Sequence, residues 1–161
     1  PPLAMLALSG SRTSAVRFAG VRPAHTLPPP AAGGLRTGGL STTALAVGSA
    51  RASGGMIARE AEARAGLRHV AADFAAEITA VESRLLTAAA HGIDPADRDR
   101  LRADANGLVV RVAQASLTAS KGAGFVAGHR VERLVRESLF FLVWSCPQAV
   151  TDAFLCDLTA G

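Results

Sequence analysis

Leu67, Val70, Phe74, Ile78, Val81 and Leu85 recur at intervals of 3, 4, 4, 3 and 4 residues, with Arg68, Asp73, Glu77, Glu82 and Arg84 off that line. A turn of about 3.6 residues places the apolar six on one stripe of a helix, whereas a strand would send successive members to opposite faces. A second stripe follows at Leu101, Ala105, Leu108, Val112, Ala115 and Ala119. Asp94-Pro95 introduces it, an N-cap side chain followed by a proline at the first helical position, where the missing N–H leaves no bond unmade. Two amphipathic helices joined near His91-Gly92 bury their stripes only by packing on each other and on further helices.

The remaining segments supply those helices. Ser41 to about Ala65 is rich in alanine, carries Leu45, Val47, Met56 and Ile57, and reads as a first helix whose small residues allow close approach of another backbone. The turn KGAGFVAGH (Lys121–His129) separates the third helix from a fourth over Arg130–Ser145. Its LFFLVW run (Leu139–Trp144) is apolar on every side, which predicts burial on most sides. Pro147 restarts a short fifth helix bearing Val150, Phe154 and Leu158. Ahead of the helices, Ser14–Val21 sets Val16 and Phe18 two apart around Arg17, the pattern of a half-buried strand, and the Pro- and Gly-rich stretch Pro23–Gly39 reads as a linker. The expected fold is all-α: an antiparallel four-helix bundle over 40–161 with a short extra C-terminal helix, preceded over 1–39 by a strand remnant and a linker.

Charge is unevenly placed. The chain of 161 residues carries a formal net charge of +4, yet residues 1–59 hold six Arg and no Asp or Glu, while residues 60–161 hold 11 basic and 13 acidic side chains. The front arginines are scattered without aromatic interleaving or a binding module, which argues against a nucleic-acid partner. No apolar run reaches the roughly 18–20 residues that span a bilayer, so a membrane span is not expected and a cytoplasmic location is. Cys146 and Cys156 have neither CxxC spacing nor nearby histidine partners, and His25, His69 and His91 lack ligand spacing, so no metal site is expected. The chain begins with Pro1, which reads as a processed form or a piece of something longer.

In order, the strand VRFAGVRPAH, a linker, the small-residue helix with LAVGSA, two long helices, KGAG, RVERLVRES and a hydrophobic helix resemble the end of the middle β-domain and the C-terminal helical bundle of acyl-CoA dehydrogenases. Phe18, Val21 and Pro23-Ala24 are similar to that family's F-x-x-V-x-V-P-A segment, one residue short. Gly122 and Gly124 stand at its G-G-x-G turn, and Arg136-Glu137-Ser138 at its R-D-A. The resemblance implies an oxidoreductase acting on CH–CH groups in fatty acid metabolism, with FAD as cofactor and an acyl-CoA-type substrate. A glutamate takes the α-proton in that chemistry and flavin takes the β-hydrogen as hydride. It further implies a homo-oligomer, or a heteromeric partner subunit, and assigns Gly122, Gly124 and Arg136 to the cofactor.

The family's base commonly lies in a Y-E-G-T segment a fixed interval after R-D-A. Counted from Arg136, that segment is Trp144-Ser145-Cys146-Pro147, so Ser145 occupies the base position and the carboxylate is missing. Other members carry the base on the first bundle helix, but no Asp or Glu precedes Glu60. The flavin-contacting R-x-x-F-G segment has no match in ARAGLRHVAADF beyond Arg64. A general base contributes about 10²–10⁴ in rate, so two alternatives stand beside the dehydrogenase: a flavin-dependent monooxygenase of the same architecture and a non-catalytic assembly bundle. Plainer readings stand beside each residue. The KGAG glycines also suit a tight helix connection. Arg136 also suits an i,i+4 pair with Glu132. His129 also suits a helix cap, and Phe140, Phe141 and Trp144 suit the core. Ser145 has no His or Asp patterned near it to make it a nucleophile.

Overall fold

The computed structural model describes residues 1–26, 39–144 and 146–159, at 157 and 158 the backbone alone. Five α-helices form among them: α1 (Leu40–Ala63), α2 (Arg68–His91), α3 (Pro95–Ser120), α4 (Arg130–Phe140) and α5 (Gln148–Thr159). The chain divides into two units, Pro1–Arg36 and Thr37–Gly161.

In the first unit the expected strand does not form. Residues 12–19 have no regular structure, and Val16 and Phe18 are 72% and 79% exposed. The alternation is present in the sequence, but a ladder needs a second strand to take its N–H and C=O groups, and no strand occurs among the described residues. The backbone here is tied instead by Leu3 N donating to Thr13 O at 2.7 Å. Of the expected linker, residues 27–38 lie outside the described residues.

The second unit is the helical bundle. α2 ends and α3 begins where the sequence signals put them. Asp94 Oδ1 accepts from Ala96 N at 2.8 Å with Pro95 at the first helical position, and α2 stops at Gly92, whose φ of 80° suits a residue without a Cβ. The stripe residues Ile78, Val81, Leu85, Leu101, Ala105, Leu108 and Val112 are buried. Each aliphatic side chain among them contributes about 1.5–3 kcal/mol when fully buried. The centre of the bundle is the α1–α3 pair; α2 packs on both, α4 packs on α3 and α1, and α5 packs on α3. Packing between the stripes of α2, α3 and α4 alone does not account for the core, because α1 supplies Ala46, Val47, Ala50 and Ile57 to it. Gly54 makes one close approach possible: a methyl group there would lie 3.0 Å from Ile78 Cδ1 of α2. No helix among the described residues is long and apolar enough to cross a membrane.

α4 is shorter than its apolar run predicts. It ends at Phe140, and Phe141–Trp144 form turns tightened by Leu142 N to Leu139 O at 3.2 Å and Val143 N to Phe140 O at 3.2 Å. Only Phe141 of LFFLVW is fully buried, and Val143 is 75% exposed. The unwinding re-aims the run, sending Phe141 into the core and leaving Trp144 at the surface, stacked on Phe140 with ring centroids 5.0 Å apart.

Candidate functional site

α3 carries a second buried line beside its apolar stripe. Arg102, Asn106, Val109, Ala113, Ser116 and Ser120 follow one another at 4, 3, 4, 3 and 4 residues, and all are buried. A helix packed against four others buries more than one face, and this face is largely polar. Its first two members, one helical turn apart, reach the irregular segment after α4. Asn106 Nδ2 donates to Phe141 O at 3.0 Å and approaches Cys146 Sγ at 3.9 Å. Arg102 Nη2 donates to Trp144 O at 3.4 Å. Phe141 is the C-cap of α4 and Trp144 lies beyond it, so their carbonyls have no intrahelical partner, and amide and guanidinium N–H groups are suited to them. Two α3 side chains thereby clamp Phe141, Trp144 and Cys146, although none of the three is helical.

The clamp is incompletely bonded. Arg102 Nε and Nη1 and Asn106 Oδ1 have no hydrogen-bond partner, with the two residues 0% and 1% exposed. Burial pulls the Arg102 guanidinium below its ordinary value, and the charge of an ionised Cys146 acts in the opposite direction. The ion pairs among the described residues lie elsewhere, for example Arg84–Asp104 at 2.6 Å and Arg64–Glu60 at 2.6 Å. A guanidinium with no facing acid is costly to bury, of the order of several kcal/mol.

The residues singled out from the sequence fall into separate surroundings. Lys121–Phe125 is a 3₁₀ turn. Gly124 is buried in it, where a methyl group would lie 2.9 Å from Leu117 Cδ1 and 3.1 Å from Ser120 Cβ, whereas Gly122 is exposed with open space at the same position. Gly124 thus closes the turn onto the end of α3. His129 caps α4, its Nδ1 accepting from Val131 N at 3.2 Å. Arg136 lies on α4 and pairs with Glu132, Nη2 to Oε2 at 3.1 Å with a second bond through Nε. That pairing holds the Glu132 carboxyl below the usual range and raises Arg136. Arg136, Arg130, Arg133, His129 and the acidic Glu132 line a hollow of about 520 Å³ at the start of α4, which Gly122 and Gly124 do not line. Ser145 lies outside the described residues.

Arg102, Asn106 and Cys146 escape a reading of the sequence by pattern, because an arginine or asparagine next to an apolar stripe reads as solvent-facing. The signal available was the four-residue step from Arg102 to Asn106, continued in register by Val109 and Ala113. Among the described residues no group of three or more His, Cys, Asp or Glu is placed to hold a metal ion. No family model, curated protein or solved structure matches this chain.

Proposed function

We propose that this chain is the C-terminal helical-bundle portion of an FAD-dependent acyl-CoA dehydrogenase-like oxidoreductase, and that it does not itself supply the glutamate base. The observation that carries the reading is the clamp on Phe141, Trp144 and Cys146. A non-helical segment is held by a buried arginine and a buried asparagine whose bonds are incomplete, an arrangement that a stability optimum would replace with apolar packing. Such a departure is expected where a segment's position matters for function, and Trp144 and Cys146 flank in sequence the position that the resemblance aligns with the family's base.

The residues also suit the cofactor in part. The hollow at the start of α4 is lined by three arginines, His129 and Glu132; with Arg136 paired to Glu132, Arg130 and Arg133 offer donors and charge for a diphosphate. When bound, FAD supplies the acceptor for the β-hydride. The contribution of this chain is to bind and orient: Arg130 and Arg133 hold anionic oxygens, Arg136 is kept in place by Glu132, and the clamp fixes the carbonyls of Phe141 and Trp144. The α-proton then goes to a carboxylate of another domain or of a heteromeric partner subunit. The exposed apolar side chains Phe125, Val126, Val143 and Leu155 favour a second reading, a non-catalytic assembly bundle.

The test is anaerobic mixing of the native assembly with an acyl-CoA while flavin absorption is followed. Bleaching supports the dehydrogenase, and Ser145→Glu should raise it where no partner carboxylate is present. Flavin that is not bleached by acyl-CoA but supports NADH- or reductase-dependent oxygen uptake marks the monooxygenase instead.

A further inference from the structure

Both cysteines are free thiols, Cys146 half-buried and Cys156 exposed on α5. Only Cys146 stands beside the unfilled bonds of the clamp. Asn106, with its Nδ2 3.9 Å from the sulfur, has an unpartnered Oδ1, and Arg102, one helical turn away on the same buried line, has two unpartnered N–H nitrogens. What a buried guanidinium without an acid lacks is an anionic oxygen, and what a buried amide oxygen lacks is a donor. Successive oxidation states of a cysteine provide the two, the sulfenic acid a donor O–H and the sulfinate an anionic oxygen.

We propose that Cys146 is a site of oxidation by hydroperoxides whose products are held in turn, the sulfenic acid by Asn106 and the sulfinate by Arg102. In the first step the Cys146 sulfur forms a bond to one peroxide oxygen as the O–O bond breaks. With hydrogen peroxide the departing hydroxide takes up the thiol proton and leaves as water. Sulfur loses two electrons and the peroxide gains two, giving a sulfenic acid whose O–H can donate to Asn106 Oδ1. A second peroxide adds a second oxygen in the same way, releases another water and gives a sulfinic acid, which is ionised at neutral pH. The sulfinate brings a negative charge and acceptor oxygens to a place where guanidinium N–H groups have none. Cys156 carries the same thiol at a more open site and serves as the internal reference.

The experiment treats the full chain with hydrogen peroxide and follows the oxidation of each cysteine over time by peptide mass spectrometry. Cys146 is expected to oxidise about tenfold faster than the more exposed Cys156, the factor that one hydrogen bond to a charged group supplies, and to accumulate as sulfinate. In a Cys156→Ser chain, oxidation should raise the melting temperature. Arg102→Met should abolish both the rate advantage and the rise, and Arg102→Lys should retain part of each. The inference is overturned if Cys156 of the wild-type chain oxidises as fast as Cys146 or faster, or if oxidation of the Cys156→Ser chain lowers its melting temperature. Neither of those results depends on a substitution at Arg102 folding.

Discussion

Replacing Arg102 with methionine should leave the chain as stable as before or more stable, although Arg102 is one of the most completely buried side chains. Two terms decide the sign. The substitution removes the bond from Nη2 to Trp144 O, which at 3.4 Å is long and contributes at most about 1 kcal/mol. It also removes a buried cation with two unpartnered nitrogens, and replacing such groups with apolar side chains of similar volume is neutral or stabilising by about 1–4 kcal/mol. Methionine fills most of the arginine stem's volume, so little cavity is left. Asn106→Ala should act in the opposite direction: it breaks a 3.0 Å bond and leaves the Phe141 carbonyl without its donor, at a cost of about 1–3 kcal/mol. Urea unfolding of both variants measures this directly, and Trp144, the single tryptophan, reports from the clamped segment itself. A loss above about 3 kcal/mol for Arg102→Met would refute the reasoning, since that is the cost of breaking a fully matched buried pair.

Gly124→Ala should cost about 1–3 kcal/mol, because the added methyl meets Leu117 and Ser120 at 2.9 and 3.1 Å, while Gly122→Ala should stay within about 0.5 kcal/mol; paired thermal melts compare them. Asp94→Ala removes the cap that receives Ala96 N and should cost about 1 kcal/mol by the same measurement. The Glu132 carboxyl is held below its ordinary value chiefly by its hydrogen bond with Arg136, so the stability it contributes is present above that ordinary value and is lost as pH falls through the lower folded-state value. Urea midpoints between neutral and acidic pH should therefore fall less steeply in Glu132→Gln than in the unsubstituted chain.

The helices whose signals are local were legible. The stripes of α2 and α3 and the Asp94-Pro95 start depend on spacing and on one cap, both written in adjacent residues. Ser14–Val21 misleads because a strand is a property of two segments, and alternation in one of them says nothing about the other. α4 stops short of its sequence pattern, since nothing between Leu139 and Trp144 breaks a helix; the stop comes from α3, whose Asn106 and Arg102 take the carbonyls of Phe141 and Trp144. For the same reason the clamp was invisible: the burial of Arg102 follows from α3 being surrounded by four helices, a fact of tertiary packing. Arg136 with Glu132 and the His129 cap were legible as plain helix chemistry, and both are present. Gly122 and Gly124 look equivalent in the sequence, yet only one meets a neighbour, since the 3₁₀ turn directs one inward and the other out.

The central claim is that this bundle belongs to a flavoprotein, and the flavin content of the native assembly tests it most directly. Acid extraction of the assembly, purified without added cofactor, should release FAD in a fixed ratio close to one per copy of this chain. An assembly that is intact, contains this chain in full amount and releases no flavin would contradict the claim and leave the bundle an assembly element.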